Sequence, residues 1–213
     1  MRNRFDRQLA TLHEDLVDMG RLCQEAISDA MEAVLEGDRE LARKAEEADS
    51  KVDQLERDIE GLCLKLLLQQ QPVARDLRVI SSALKMISDM ERIGDQASDI
   101  AEIAKTIERY HTESHEMLSS MASAAISMVD RAVTSFVERD EQGARKVIAD
   151  DDVVDGLFDA VRRQLIERTA REPERGEYLL DLLMIAKYLE RIADHATNIA
   201  EWVIFSITGT HDD

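Results

Sequence analysis

Apolar residues step along this chain by threes and fours, the spacing that lines one face of a helix. A first stripe runs through Phe5, Leu9, Leu12, Leu16, Met19, Cys23, Ala26, Ala30 and Ala33, and Gly37 with Asp38 supply a stop and a cap for the next element. A second stripe holds Ala45, Ala48, Val52, Leu55, Ile59, Leu62 and Leu66 before "QQQPVA" interrupts it, with Pro72 suited to a first helical turn. The third passes through Ala83, Met86, Met90, Ile93, Ala97, Ile100, Ala104 and Ile107. The polar segment "RYHTESHE" follows as the expected boundary. Beyond it a fourth helix carries Leu118, Met121, Ala125, Met128, Ala132 and Phe136, with methionines read as core filler. Asp140 opens a fifth, with Val147, Val154, Leu157, Val161 and Leu165. After the break "REPERGE" a sixth contains Leu182, Ile185, Leu189, Ile192, Ala196, Ile199 and Val203. No strand-like alternation competes with these stripes.

Six helices in two sets of three point to duplication, and the sequence repeats itself accordingly. "MERIGDQASDIAE" from Met90 returns as "LERIADHATNIAE" from Leu189, ninety-nine residues later, with eight of thirteen positions identical. "DRELARKAEEADSKVDQL" from Asp38 aligns with "DEQGARKVIADDDVVDGL" from Asp140 at an offset of 102. The expected fold class is all-α: two tandem three-helix bundles, residues 1–110 and 111–213, built from long antiparallel helices. At about thirty residues each, such helices extend roughly 45 Å and can bury their stripes against one another.

Charge narrows the partners. Twenty-seven Lys and Arg against forty-five Asp and Glu give a formal charge of -18, which repels nucleic acid and anionic lipid and favours cations or basic protein surfaces. The longest uncharged run, Met117 to Val129, is too short to span a bilayer, and "MRNRFDRQLA" lacks the apolar core of a signal peptide. The expectation is a cytoplasmic chain without direct membrane insertion, peripheral at a membrane only through protein partners. Cys23 and Cys63 have apolar helical contexts and no CxxC companion, so they read as buried thiols. No Gly-flanked Ser, Cys–His arrangement or phosphate-cradling Gly-rich loop is present.

The candidate chemistry lies in the acids. With Met90 and Ile93 at core positions a and d, Glu91, Asp95 and Asp99 fall at b, f and c, away from the helix seam. On the second helix Asp49 and Asp53 flank core Val52; Asp151 and Asp155 are their equivalents on the fifth. About nine acid pairs at i,i+4 spacing would arise by chance at this acid content, and repulsion in such a pair costs only about 0.2–0.5 kcal/mol. Any one pair alone therefore means little. Both pairs recurring in both halves, on faces packing does not constrain, is the informative fact. Carboxylates converging across a helix pair form an oxygen-rich site suited to hard cations such as magnesium, manganese or ferric iron, and bridging carboxylates admit more than one ion. His195 would make the second site friendlier to zinc or ferrous iron.

"QPVARDLR", "MERIGDQASDIAE" and "KYLERIADHATNIAEW" resemble the repeat signatures of the PhoU family, and the spacing of all six helices is similar across essentially the whole chain. The resemblance implies two three-helix bundles related by a pseudo-twofold, a homodimer, and multinuclear iron or zinc clusters on the ExxxD faces. It matches Glu91 with Asp95 and Glu190 with Asp194 to the ExxxD motif. Asp49 with Asp53, and Asp151 with Asp155, match the acidic positions of the partner helices. The family's Gly-Asp-His tripeptide reads Gly94, Asp95, Gln96 in one repeat and Ala193, Asp194, His195 in the other, and Asn198 replaces the carboxylate of Asp99. Two sites of unequal charge are expected, with Asp99, His195 and Asn198 as additional ligands. The implied role is regulatory: an adaptor between the ATPase subunit of the phosphate-specific ABC transporter and the phosphate-sensing histidine kinase, holding uptake and signalling down when phosphate is plentiful. Arg75 and Arg78, with Arg92 and Arg191, are candidates for contact with acidic partners; the competing reading of the last two is local pairing with Asp95 and Asp194.

Two other readings compete. A di-iron carboxylate oxidase needs two inward Glu-x-x-His units, and the sequence offers only Glu108 to His111. A metal-free helical scaffold needs none of the acids.

Overall fold

The computed structural model describes residues 2–70, 72–107 and 115–210. Six α-helices account for nearly all of them: α1 Arg2–Glu36, α2 Arg39–Gln70, α3 Ala74–Ile107, α4 Glu116–Glu138, α5 Glu141–Arg171 and α6 Gly176–Thr208, with a 3₁₀ turn at Pro173–Arg175 before α6. The expected all-α, six-helix architecture is what forms. Gly37 takes a left-handed φ of 67° that ends α1 without a Cβ clash. Asp38 then accepts the Glu40 N–H at 2.7 Å as the N-cap of α2.

Two details differ from expectation. Pro72 lies just ahead of α3, which starts at Ala74, rather than within its first turn. α4 is 23 residues long, shorter than its five partners. The expected domain boundary at 110/111, and Glu108 and His111, lie outside the described residues.

α1, α2 and α3 pack as one three-helix bundle and α4, α5 and α6 as a second. The bundles meet through α3 against α6, the most extensive helix pair of all, and through α1 against α4. The four helices α1, α3, α4 and α6 thus form an inner layer, with α2 and α5 flanking it on the outside. Leu12, Leu16, Met19, Ile80, Met86, Met90, Ile93 and Met121 are completely buried, each such side chain contributing roughly 1.5–3 kcal/mol. The methionines Met121 and Met128 of α4 fill core space, as their spacing implied. Both thiols are buried, and burial pushes Cys23 and Cys63 up to about 12, which makes them unreactive.

The approach of α1 to α4 depends on Gly20, where a Cβ would stand 3.0 Å from a Val133 methyl. Gly61, on the outside of α2, has nothing within 4 Å of that position. Gly20→Leu should therefore force the bundles apart and cost about 1–3 kcal/mol in urea unfolding. Gly61→Ala should add roughly 0.5–1 kcal/mol by helix propensity alone. Equal stability of Gly20→Leu and the parent would contradict this packing.

Candidate metal centres

The first acidic face forms where outer helix α2 lies on α3. Val52 is buried between Asp49 and Asp53, and docking this apolar position draws both carboxylates toward Glu91, Asp95 and Asp99. Gly94 sets the closeness: Asp49 Oδ1 lies 2.7 Å from where a Cβ on residue 94 would stand. That oxygen is buried and has no hydrogen-bond partner. Burial first, then the charges of Asp53, Asp95, Glu91 and Asp99, push the Asp49 carboxyl up to about 6. Glu91 is also raised, by burial and then by Asp95. Arg92 partly offsets the crowding, with 2.9 Å to Asp95 and 3.4 Å to Glu91. Glu56 belongs to the same neighbourhood, since its charge is felt at Glu91 and that of Asp53 at Glu56. One helical turn beyond Asp53, it was visible as an acid but had no partner in the repeat to draw attention to it.

The second face repeats the plan on α5 and α6. Asp151 is pushed up to about 6 by burial and then by Asp194, Asp155 and Glu190. Asp194 is raised by burial and then by Glu190. Asp155 and Asp194 are exposed, and Glu190 is ion-paired to Lys187 one turn earlier. Ala193 stands where the first face has Gly94, so the space that Asp49 occupies is filled here by a methyl group. The two faces differ in packing as well as in charge.

The third positions behave differently from expectation. His195 Nδ1 lies 2.9 Å from Asp89 Oδ1, and the Asn198 amide donates to that same oxygen at 3.1 Å. Both residues face α3 of the other bundle, where Asp89 occupies them, rather than the second carboxylate face. The reason is that α6 presents one flank to α5 and another to α3. Asp99 accepts a hydrogen bond from Tyr188 of α6. The repeat offset of ninety-nine relates Asp89 to Tyr188 and Asp99 to Asn198, so the two contacts are the same pair of positions seen from either side of the pseudo-twofold. His195 corresponds to Gln96, which is buried with an unpartnered Oε1. Asp89 and Tyr188 went unnoticed in the sequence because one-helix spacing does not reveal which helices face each other. Applying the repeat offset to polar inner-face positions would have paired them. Arg92 pairs with Asp95, but Arg191 forms no ion pair with Asp194; its charge is felt at Asp99 and Tyr188 instead.

Among the described residues, no three Asp, Glu, His or Cys side chains already stand in a ligating arrangement. The donor set nevertheless fits a hard cation. It is all-oxygen and over-charged, and Asp49 Oδ1 is desolvated with no partner, while the desolvated Glu190 Oε2 has only the Lys187 ammonium beside it. Asp49, Asp53, Glu91 and Asp95 would hold an ion at the first face; Asp151, Asp155, Glu190 and Asp194 would do so at the second. Reorienting half-exposed carboxylates toward an ion is a matter of fast rotamer changes.

These features define a class: a duplicated helical-bundle protein with an acidic face at the junction of inner and outer helices in each half. The PhoU domain matches twice, over residues 16–104 and 118–203. A phosphate-specific transport system accessory protein PhoU homolog of Burkholderia sp is 34% identical, over 98% of this chain and 90% of its own length. The PhoU homolog 1 of Thermotoga maritima is 35% identical, over 96% and 89%. The crystal structure of PhoU from Pseudomonas aeruginosa superposes with a TM-score of 0.91 at 34% identity, covering 97% of this chain and all of that one. That of the phosphate transport system regulatory protein PhoU from Streptococcus pneumoniae gives 0.90 at 28%, covering 98% and 99%. The chain belongs to the PhoU family.

The raised carboxyls have a consequence for stability. The folded-state value of Asp49 lies near 6, above the unfolded value of about 3.9. Its contribution to stability is therefore fully present below pH 4 and is lost as pH rises toward and through 6. In chelator-treated protein, Asp49→Asn should stabilise the fold at pH 7 by on the order of 1 kcal/mol, after allowance for solvent screening. The gain should shrink toward pH 4. Thermal unfolding of both proteins across this range measures it, and a variant less stable than the parent at pH 7 would refute the assignment.

Proposed function

We propose that this chain is an accessory regulator of phosphate transport whose two acidic faces bind divalent or trivalent metal ions, multinuclear where carboxylates bridge. Iron, zinc, magnesium and manganese are the candidates. The observation that carries the reading is Asp49: a desolvated, unpartnered carboxylate oxygen seated against Gly94 and surrounded by acids. A solvated acidic surface has no need to bury such an oxygen, because the arrangement raises the free energy of the ion-free fold. A bound cation would supply the missing charge, neutralising the acids of α2 and α3 together. The protein's own part is to fix the outer helices: Val52 and Val154, both buried, hold α2 and α5 in the register that brings the acids together.

The relatives named as accessory proteins of the phosphate-specific transport system, and the neighbour described as a phosphate transport system regulatory protein, support the assignment to phosphate transport. On this reading the chain is a homodimeric adaptor rather than an enzyme. It bridges the transporter's ATPase subunit and the phosphate-sensing histidine kinase, and restrains both when phosphate is plentiful. It works in the cytoplasm, reaching the membrane through these partners; among the described residues no helix is long and apolar enough to cross a membrane.

A metal-free scaffold draws support from the lack of a pre-assembled ligand triad among the described residues. Elemental analysis separates the two readings. Protein purified without added metal should contain metal that the Asp95→Asn/Asp194→Asn variant has lost. Equal content in both proteins would favour the scaffold. In phosphate-replete cells, pull-down of the parent should recover the ATPase subunit and the kinase, and anaerobic ferrous loading followed by oxygen should give no fast turnover.

A further inference from the structure

With forty-five acids in the chain, most guanidiniums on this surface have a carboxylate partner, although among the described residues Arg163 and Arg191 have none within ion-pair distance. Arg21, Arg43, Arg92 and Arg131 each have such a partner. Arg75, Arg78 and Arg139 do not: among the described residues none of the three has an acidic partner within ion-pair distance, although Asp76, Glu138 and Asp140 adjoin them in sequence. Nor does Arg78 Nε, which is buried, have any hydrogen-bond partner.

The three meet at one end of the inner layer. α1 and α3 run parallel, in a register fixed by the Cys23 thiol donating to the Met90 carbonyl at 3.4 Å. Position 13 of α1 is therefore level with position 80 of α3. His13 packs edge-on against Phe136 at 5.7 Å between ring centroids, which brings the end of α4 to that level. Arg139, one turn beyond Phe136, then reaches the height of Arg75 and Arg78 in the opening turns of α3. The Arg78 guanidinium lies across Gly209 at the end of α6, 3.4 Å from where a Cβ would stand. Arg139 takes a left-handed φ of 58°, a conformation that glycine adopts more readily. Burial first, then the nearby charges of Arg75 and Arg78, makes charging Arg139 harder.

We propose that Arg75, Arg78 and Arg139 form a binding site for a phosphate-type tetrahedral oxyanion. Three guanidinium forks without carboxylates present donors in the planar geometry that grips such an ion at two oxygens per fork. A dianion would relieve the repulsion among them and give Arg78 Nε the partner it lacks. Exposed Val73 and Leu77, at 72% and 47%, lie beside the cluster, so the phosphoryl group can come from free phosphate or from a lipid headgroup. The site is remote from both acidic faces and stands whether or not those faces hold metal.

The test uses the full chain with chelator present. Inorganic phosphate is titrated calorimetrically at fixed ionic strength against chloride, and phosphatidylcholine vesicles with and without phosphatidic acid are used in flotation. The variant is Arg75→Gln/Arg139→Gln, both exposed positions whose replacement leaves the core intact, as circular dichroism will verify. Arg78→Gln serves as a second variant. Phosphate binding weakened by about tenfold or more in the variant, with Arg139→Lys intermediate, supports a free-phosphate site. Loss confined to vesicles containing phosphatidic acid supports a lipid source. Binding of neither probe, or binding that the variants weaken by less, overturns the proposal.

Discussion

The seating of α2 on α3 governs both the shape and the electrostatics of the first half. Val52 must be buried, and Gly94 opposite it has no side chain, so α2 settles close enough for the Asp49 carboxylate to occupy the volume a Cβ would fill. Apolar burial sets this distance, at roughly 1.5–3 kcal/mol per large side chain. Repulsion between exposed like charges, at a few tenths of a kcal/mol per pair, cannot reverse it. The acids are therefore brought together by the core, and their raised ionisation follows from geometry imposed elsewhere.

The same docking in the second half has a different result. Ala193 supplies the Cβ that Gly94 lacks, and the desolvated oxygen of this face belongs to Glu190, beside Lys187, rather than to Asp151. Lys187, paired with Glu190, adds a positive charge close to Asp194, whereas the first face has Arg92 on Asp95 and Glu91. A duplicated backbone thus carries two acidic faces of distinct strength, and one alanine methyl accounts for part of the difference.

The helices were legible because their stripes are long and keep one period, so that Leu12 to Ala33 or Leu182 to Val203 admits no other reading. The acid pairs were legible because duplication wrote them twice. Where the reading stopped short, the cause is a helix with two buried flanks. A single heptad frame assigns α6 one inside and one outside; α6 instead packs on α5 and on α3. His195 and Asn198, outside in that frame, line the seam between halves, half-buried His195 and exposed Asn198 both bonded to Asp89. Arg139 was missed for a related reason, since a residue ending α4 gains its neighbours only when the two bundles are set side by side.

Two of the differences between the repeats meet at that seam. A pseudo-twofold brings each residue of α3 against α6 residues that are not its own equivalents, so Asp89 meets Asn198 while its counterpart Tyr188 meets Asp99. Had both halves kept the α3 residues, the seam would oppose Asp89-type carboxylates to Asp99-type carboxylates twice over. Substituting Asn for one and Tyr for the other turns each acid–acid encounter into a donor–acceptor pair. Unpaired charge in a partly buried interface costs several times what an exposed pair does. The seam thus pairs chemically different residues at positions the duplication makes equivalent. Asp99 serves both places, bonded to Tyr188 in the seam and felt as a charge at Asp49 on the first face, whereas Asn198 serves the seam.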